Sequence, residues 1–186
     1  AKAIARQAIA KFEAYDYVVA PSGSCAGMIR LQYPRLFADD PEWSPRAEAL
    51  AAKTHELIEF LVDVRGMTSV RAIFDGTVTY HDSCSSLREI GVKDQPRALL
   101  ETVAGLRLRE MRGTEECCGF GGTFCVFEEA VSVKMGKDRI KEQLANGGEW
   151  STAAETSCLM HLEGILKRQQ SDVKIIHMAE ILNSTK

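Results

Sequence analysis

The segment Cys117-Cys118-Gly119-Phe120-Gly121-Gly122 constrains this chain more than any other feature. Side chains of adjacent residues diverge, so the two thiols cannot readily bridge to each other, and one small ion would take both only with a strained backbone. Adjacent thiolates suit neighbouring irons of one cluster, or one of them can bridge two irons. Gly119, Gly121 and Gly122 permit unusual backbone angles and leave room for inorganic sulfide against the main chain. Their amides are also placed to donate to sulfur, which tunes a cluster's potential. The same run is a poor phosphate cradle, because no Lys-Ser/Thr follows it as a P-loop requires.

Four further cysteines lie elsewhere in the 186 residues. Three disulfides are the competing account of six cysteines, but disulfide scaffolds are small, loop-rich and secreted. A reducing cytosol makes metal or redox chemistry the better reading. Cys84 follows Tyr80-His81-Asp82-Ser83 at a strand end and a helix start, where the helix N-terminus favours thiolate. Cys158 occupies the same kind of position, and His161 lies three residues on, on the same helix face, as a candidate nitrogen ligand. The expected metal ligands are therefore Cys84, Cys117, Cys118 and Cys158, with His161 open between a ligand and a surface histidine. His81 reads as a structural partner behind the ligands, and His177 as a residue packed at a strand end. Cys125 is open between a ligand, a resolving thiol and a small buried hydrophobe. Cys25 has two readings: ligand of a second site, or nucleophile of the elbow-like Gly23-Ser24-Cys25-Ala26-Gly27.

A net charge of −3 leaves no basic footprint for nucleic acid. No apolar run approaches the roughly 20 residues of a membrane helix. Residues 1–14 alternate charges with alanines and lack the apolar core of a secretory signal. A cytoplasmic protein is the expectation.

Strand patterns at 17–20, 78–81, 106–110, 152–154 and 173–176 alternate with helical ones, which predicts an α/β fold with parallel sheets. The periodicity predicts one long amphipathic helix over 45–64, and Asp82-Ser83 as the cap of a helix over 84–90. The chain also repeats itself. Val18-Val19-Ala20 leading to Ser24-Cys25 resembles Thr152-Ala153-Ala154 leading to Ser157-Cys158, and His55-Glu56-Leu57-Ile58 echoes His177-Met178-Ala179-Glu180. Two pseudo-repeated α/β units follow, an incomplete first one at 1–67 and a complete second one at 68–186. Cys25 would be the counterpart of Cys158, and the counterparts of Cys84 and Cys117 would then lie ahead of residue 1. With no initial Met, the chain reads as a piece lacking about 50 to 60 residues of its first unit.

Cys84, 32 residues, Cys117-Cys118, 39 residues of which Gly119 is the first, and Cys158 together resemble the CCG cysteine-rich domain. That domain occurs in heterodisulfide reductases, in the iron–sulfur proteins of glycolate oxidases and in anaerobic glycerol-3-phosphate dehydrogenases. Pro21 to Arg30, Tyr80-His81-Asp82-Ser83-Cys84, Leu87-Arg88-Glu89 and Cys117 to Cys125 are most similar to the lactate utilisation protein A family. The resemblance implies an iron–sulfur electron-transfer component, of 4Fe-4S type, in a complex oxidising L-lactate or another 2-hydroxy acid. It implies companion iron–sulfur subunits too, among them a carrier of ferredoxin-type clusters, for which this chain has no C-x2-C-x2-C-x3-C run. The family pattern ends in C-x-x-C, whereas this chain has Cys158-Leu159-Met160-His161. That departure favours a four-ligand site, with or without His161, over a five-cysteine cluster. A zinc-stabilised interaction module and a cysteine hydrolase using Cys25 are the alternatives.

Overall fold

Strands pair only in parallel among the described residues, which are residues 1–185 of the computed structural model. A helix α1 (Lys2–Phe12) leads to β1 (Val18–Ala20), then α2 (Gly23–Gly27), α3 (Tyr33–Leu36), α4 (Ser44–Ala52), β2 (Thr54–Glu56) and α5 (Leu57–Glu59). β1 and β2 form a two-stranded sheet in which Val18 faces Thr54 and Ala20 faces Glu56. The chain continues through β3 (Ile73–Tyr80), α6 (Cys84–Ile90), α7 (Asp94–Leu100), β4 (Ala104–Arg109), α8 (Phe124–Phe127) and α9 (Glu129–Ala145). It ends with β5 (Trp150–Ala153), α10 (Thr156–Arg168), β6 (Lys174–His177) and α11 (Met178–Leu182). These four strands form a sheet in the order β4-β3-β5-β6. The fold is α/β, as the alternation of strand and helix patterns predicts, since parallel neighbours need crossover helices.

The repeat in the sequence is also a repeat in register. Ala20 ends β1 opposite Glu56, and Ala153 ends β5 opposite His177. Glu56 and His177 then cap their following helices in the same way. Each side chain accepts from a backbone amide of the next turn, and a glutamate three residues on accepts from the cap's own amide.

Three apolar clusters hold the molecule together. Ala5, Ile9, Phe37, Ala47 and Leu50 pack around α1 and α4. Val78, Tyr80, Leu99, Leu100, Ala154, Met178 and Ile181 line the larger sheet, and Ile58 of α5 joins them at 0 % exposure. The helix that follows β2 thus packs into the core of the larger sheet. Cys118 and Cys158 lie with Ile140, Leu162, Ile165 and Leu166 between α9 and α10.

The expected helix over 45–64 is interrupted. α4 stops at Ala52, residues 54–56 turn into β2, and a helix resumes at Leu57. A three-residue strand has no period to read, and the capping box of Glu56 and Glu59 restarts the helix locally. Pairing with β1 supplies the rest. No helix among the described residues is long and apolar enough to cross a membrane.

Candidate metal centre

β3 ends at Tyr80, and the next three residues make the turn into α6. The Ser83 hydroxyl caps the helix by accepting from the Ser86 amide, so Cys84 is its first residue. Asp82 is fully buried and forms a two-pronged ion pair with Arg97 at 2.8 and 3.0 Å. Arg97 also binds Glu110, just beyond β4, and lies over the Tyr80 ring. The ends of β3 and β4 are thereby clipped together, and the Cys117-Cys118 loop leaves from there.

That loop is pressed onto α9. Gly119 has φ +91°, and a methyl group on it would lie 2.5 Å from the Ser132 carbonyl oxygen. No other residue fits such an angle at such a separation. Below it, the buried Arg139 donates to the carbonyls of Arg112 and Gly113 and holds the loop's approach. The Gly119 amide donates to Cys117 Sγ at 3.4 Å and the Phe120 amide to Cys118 Sγ at 3.5 Å. These are sulfur-directed donors of the expected kind, one of them from a residue other than glycine.

Cys84, Cys117, Cys118 and Cys158 all line one cavity of about 350 Å³, together with Gly121, Gly122, Glu155 and Ser24. Cys117 Sγ and Cys84 Sγ are 4.0 Å apart and half-buried. Cys118 and Cys158 are buried, and their sulfurs lie within 4.8 Å of each other and of a ring nitrogen of His81. Both His81 ring nitrogens are buried without a hydrogen-bond partner. Burial, reinforced by the Arg139 charge, pushes the imidazole pKa down to about 3, so the ring is neutral.

Cys84 and Cys118 resist ionisation as they stand. Cys117 favours the Cys118 thiolate, but Cys158 and burial outweigh it and raise the Cys118 thiol to about 12. The hydrogen bond to Cys117, with burial, pushes Cys84 well above the usual thiol range. Sulfurs crowded into a low-dielectric pocket cannot all carry charge unless a cation joins them. Four thiols and an unpaired neutral imidazole therefore fit a thiophilic metal or cluster.

Other residues singled out in the sequence lie elsewhere. His161 turns its Nε2 to Ser132, 3.4 Å from the hydroxyl and 3.3 Å from the carbonyl oxygen. Cys25 is exposed on α2, its amide bonded to Ser22, while its neighbour Ser24 reaches the cavity. Cys125 Sγ donates to the Gly122 carbonyl at 3.0 Å. His177 caps α11 at the end of β6. Gly121 and Gly122 adopt φ of +54° and +61° along the cavity wall. Sequence reasoning sets His81 behind the ligands and misses Glu155 as a site component, and the place of Glu155 at the strand-to-helix turn before Cys158 is the signal that could find it. A larger cavity of about 790 Å³, lined by Ile4, Met28, Tyr33 and Leu36, borders this site through Ser24 and Ser85 but contains no cysteine.

The family model of the cysteine-rich domain, CCG, matches residues 78–163, a span that holds His81 and all four cavity cysteines. Over 184 residues the chain is 47% identical to Lactate utilization protein A of an Exiguobacterium species, covering 98% of this chain and 75% of that one. It is 45% identical to the protein of that name from a Geobacillus species, covering 99% and 77%. Against that of Oceanobacillus iheyensis it is 42% identical, covering 99% and 75%.

Proposed function

The chain belongs to the lactate utilization protein A family, and we propose that its part in lactate utilisation is electron transfer through an iron–sulfur centre. The electrons would come from oxidation of L-lactate, or another 2-hydroxy acid, to the 2-oxo acid. One observation carries this reading: four cysteines from three distant segments converge on one cavity, with backbone amides donating to two of the sulfurs.

Cys84, Cys117, Cys118 and Cys158 would hold the group, which when bound supplies one-electron transfer without bond chemistry. The protein's own parts favour that role over catalysis at this cavity. Glu155, the carboxylate in its wall, accepts from the Ser22 and Ser157 hydroxyls and the Ser24 amide, and so is tied down as a brace. Gly119 and Phe120 amides stabilise negative charge on sulfur. The apolar packing around Cys118 and Cys158 limits water at the deep end. Substrate oxidation is therefore assigned to companion iron–sulfur subunits, with this chain relaying electrons in the cytoplasm. Cys25 would serve a second, partner site.

A zinc-stabilised module is the second reading, favoured by the compact His81, Cys118 and Cys158 group, which suits a single ion. The hydrolase reading gains no support, since no histidine hydrogen-bonds to Cys25 among the described residues. Iron, acid-labile sulfide and zinc analysis of anaerobically prepared full-length protein separates the two. Iron with matching sulfide is expected; stoichiometric zinc without sulfide would replace the electron-transfer reading.

A further inference from the structure

We infer that His81 is itself a metal ligand, giving the centre a mixed sulfur and nitrogen shell. The inference rests on the cavity being a metal centre, and goes beyond it in naming the nitrogen donor. His81 is 1 % exposed, and neither ring nitrogen has a hydrogen-bond partner. Buried imidazoles almost always find at least one partner, so two open nitrogens need an occupant. The only thiol donors beside it within ligand-sharing distance are Cys118 and Cys158, all three atoms lying within 4.8 Å of one another among the described residues.

The backbone holds this arrangement rigidly. The His81 amide donates to the Thr152 carbonyl at 2.9 Å, which ties it to the strand leading to Cys158. On its other side, Gly119 locks Cys118 against α9. His161, the histidine that the C-x-x-H spacing singles out, is already engaged by Ser132. Cys117 lies by Cys84 at the half-buried end of the cavity, and Cys118 lies with Cys158 and His81 at the buried end. A neutral nitrogen as the fifth donor, where the family's longer pattern has a fifth cysteine, leaves less negative charge on the centre than a fifth thiolate and gives a higher potential.

The test uses the full-length protein loaded anaerobically with ferrous iron and sulfide, and separately with zinc, after growth on histidine labelled with heavy nitrogen. Pulsed electron paramagnetic resonance on the reduced iron form should show a strongly coupled histidine nitrogen in wild type and in His161→Ala. The coupling should vanish in His81→Ala, whose zinc affinity should fall roughly a hundredfold. His81→Cys, chosen because it can restore a donor if His81→Ala folds poorly, should regain metal, lack the nitrogen signal and show a lower potential. Loss of metal alone would also accompany a mere hydrogen bond to sulfur, so the nitrogen coupling decides. Coupling that persists in His81→Ala, or wild-type metal with no nitrogen neighbour, overturns the assignment. If iron and sulfide are not taken up but X-ray absorption of the zinc form shows one nitrogen among sulfurs, the ligand stands and electron transfer fails. Protein that retains neither metal overturns both.

Discussion

The Ser22 hydroxyl lies 3.0 Å from both carboxylate oxygens of Glu155, and the two residues occupy the same position in the two halves of the chain. Each stands two residues beyond the end of a parallel strand, at the cap position of the helix that carries Cys25 or Cys158. Equivalent corners of the repeat therefore meet, at the wall of the cysteine cavity. Beside it, Gly23 permits the close packing of α2 on α6, since a methyl there would lie 2.8 Å from the Ser86 backbone.

Glu155→Ala removes the acceptor for two hydroxyls and the Ser24 amide. Hydrogen bonds to a charged group contribute about 1.5–3 kcal/mol, so denaturant unfolding should show a loss of at least about 2 kcal/mol. Ser22→Ala should cost less, because the Ser24 and Ser157 donors remain. Equal stability of Glu155→Ala and wild type would refute the joint.

Gly119→Ala and Gly122→Ala separate space from backbone angle. Both glycines have positive φ, but a methyl at Gly122 meets open space while one at Gly119 strikes α9. Gly122→Ala should cost about 1–2 kcal/mol from the angle alone. Gly119→Ala should cost more and should lower bound metal per chain, because the loop carrying Cys117 and Cys118 must move. Metal content of the two purified variants checks the ranking.

Arg97→Met leaves the Asp82 carboxylate buried without its partner. Breaking such a pair costs about 3–5 kcal/mol, and the double change with Asp82→Asn should recover part of it. A double-mutant cycle by denaturant titration measures the coupling. Additive losses would mean that the two groups do not act together.

Glu56 gives stability a pH dependence. Burial pushes its carboxyl up from 4.5 to about 7, against the amides of Glu59 and Ile58, which lower it. Between those values the unfolded chain releases a proton that the folded protein keeps. This contribution is therefore full below pH 4.5, declines as pH rises to about 7 and is level above that. Its slope is at most about 1.4 kcal/mol per pH unit. Glu56→Gln should remove that decline and be the more stable protein at pH 8. Unfolding titrations of both across the range provide the check.

Much of this is legible in the residues. Ser83 before Cys84 announces a capped helix, the glycines after Cys118 announce a loop with unusual angles, and the repeat places Cys25 and Cys158 at like turns. β2 is not legible: Thr54-His55-Glu56 is too short to carry a period, and β1, more than thirty residues away, makes it a strand. Nor is the placing of the histidines. The spacing after Cys158 singles out His161, yet Ser132 on α9 engages it, while His81 is delivered beside Cys118 and Cys158 by its bond to Thr152.

The sequence alone determined the α/β alternation, the caps and the cysteine-bearing turns, because those signals act over a few residues of one chain segment. Which sulfurs meet, that Cys117 turns to Cys84 and Cys118 to Cys158, and that Ser22 braces Glu155, were decided by the tertiary structure. Convergence of that kind depends on strand register and on helix packing between residues 33 to 133 positions apart, and no local pattern encodes it.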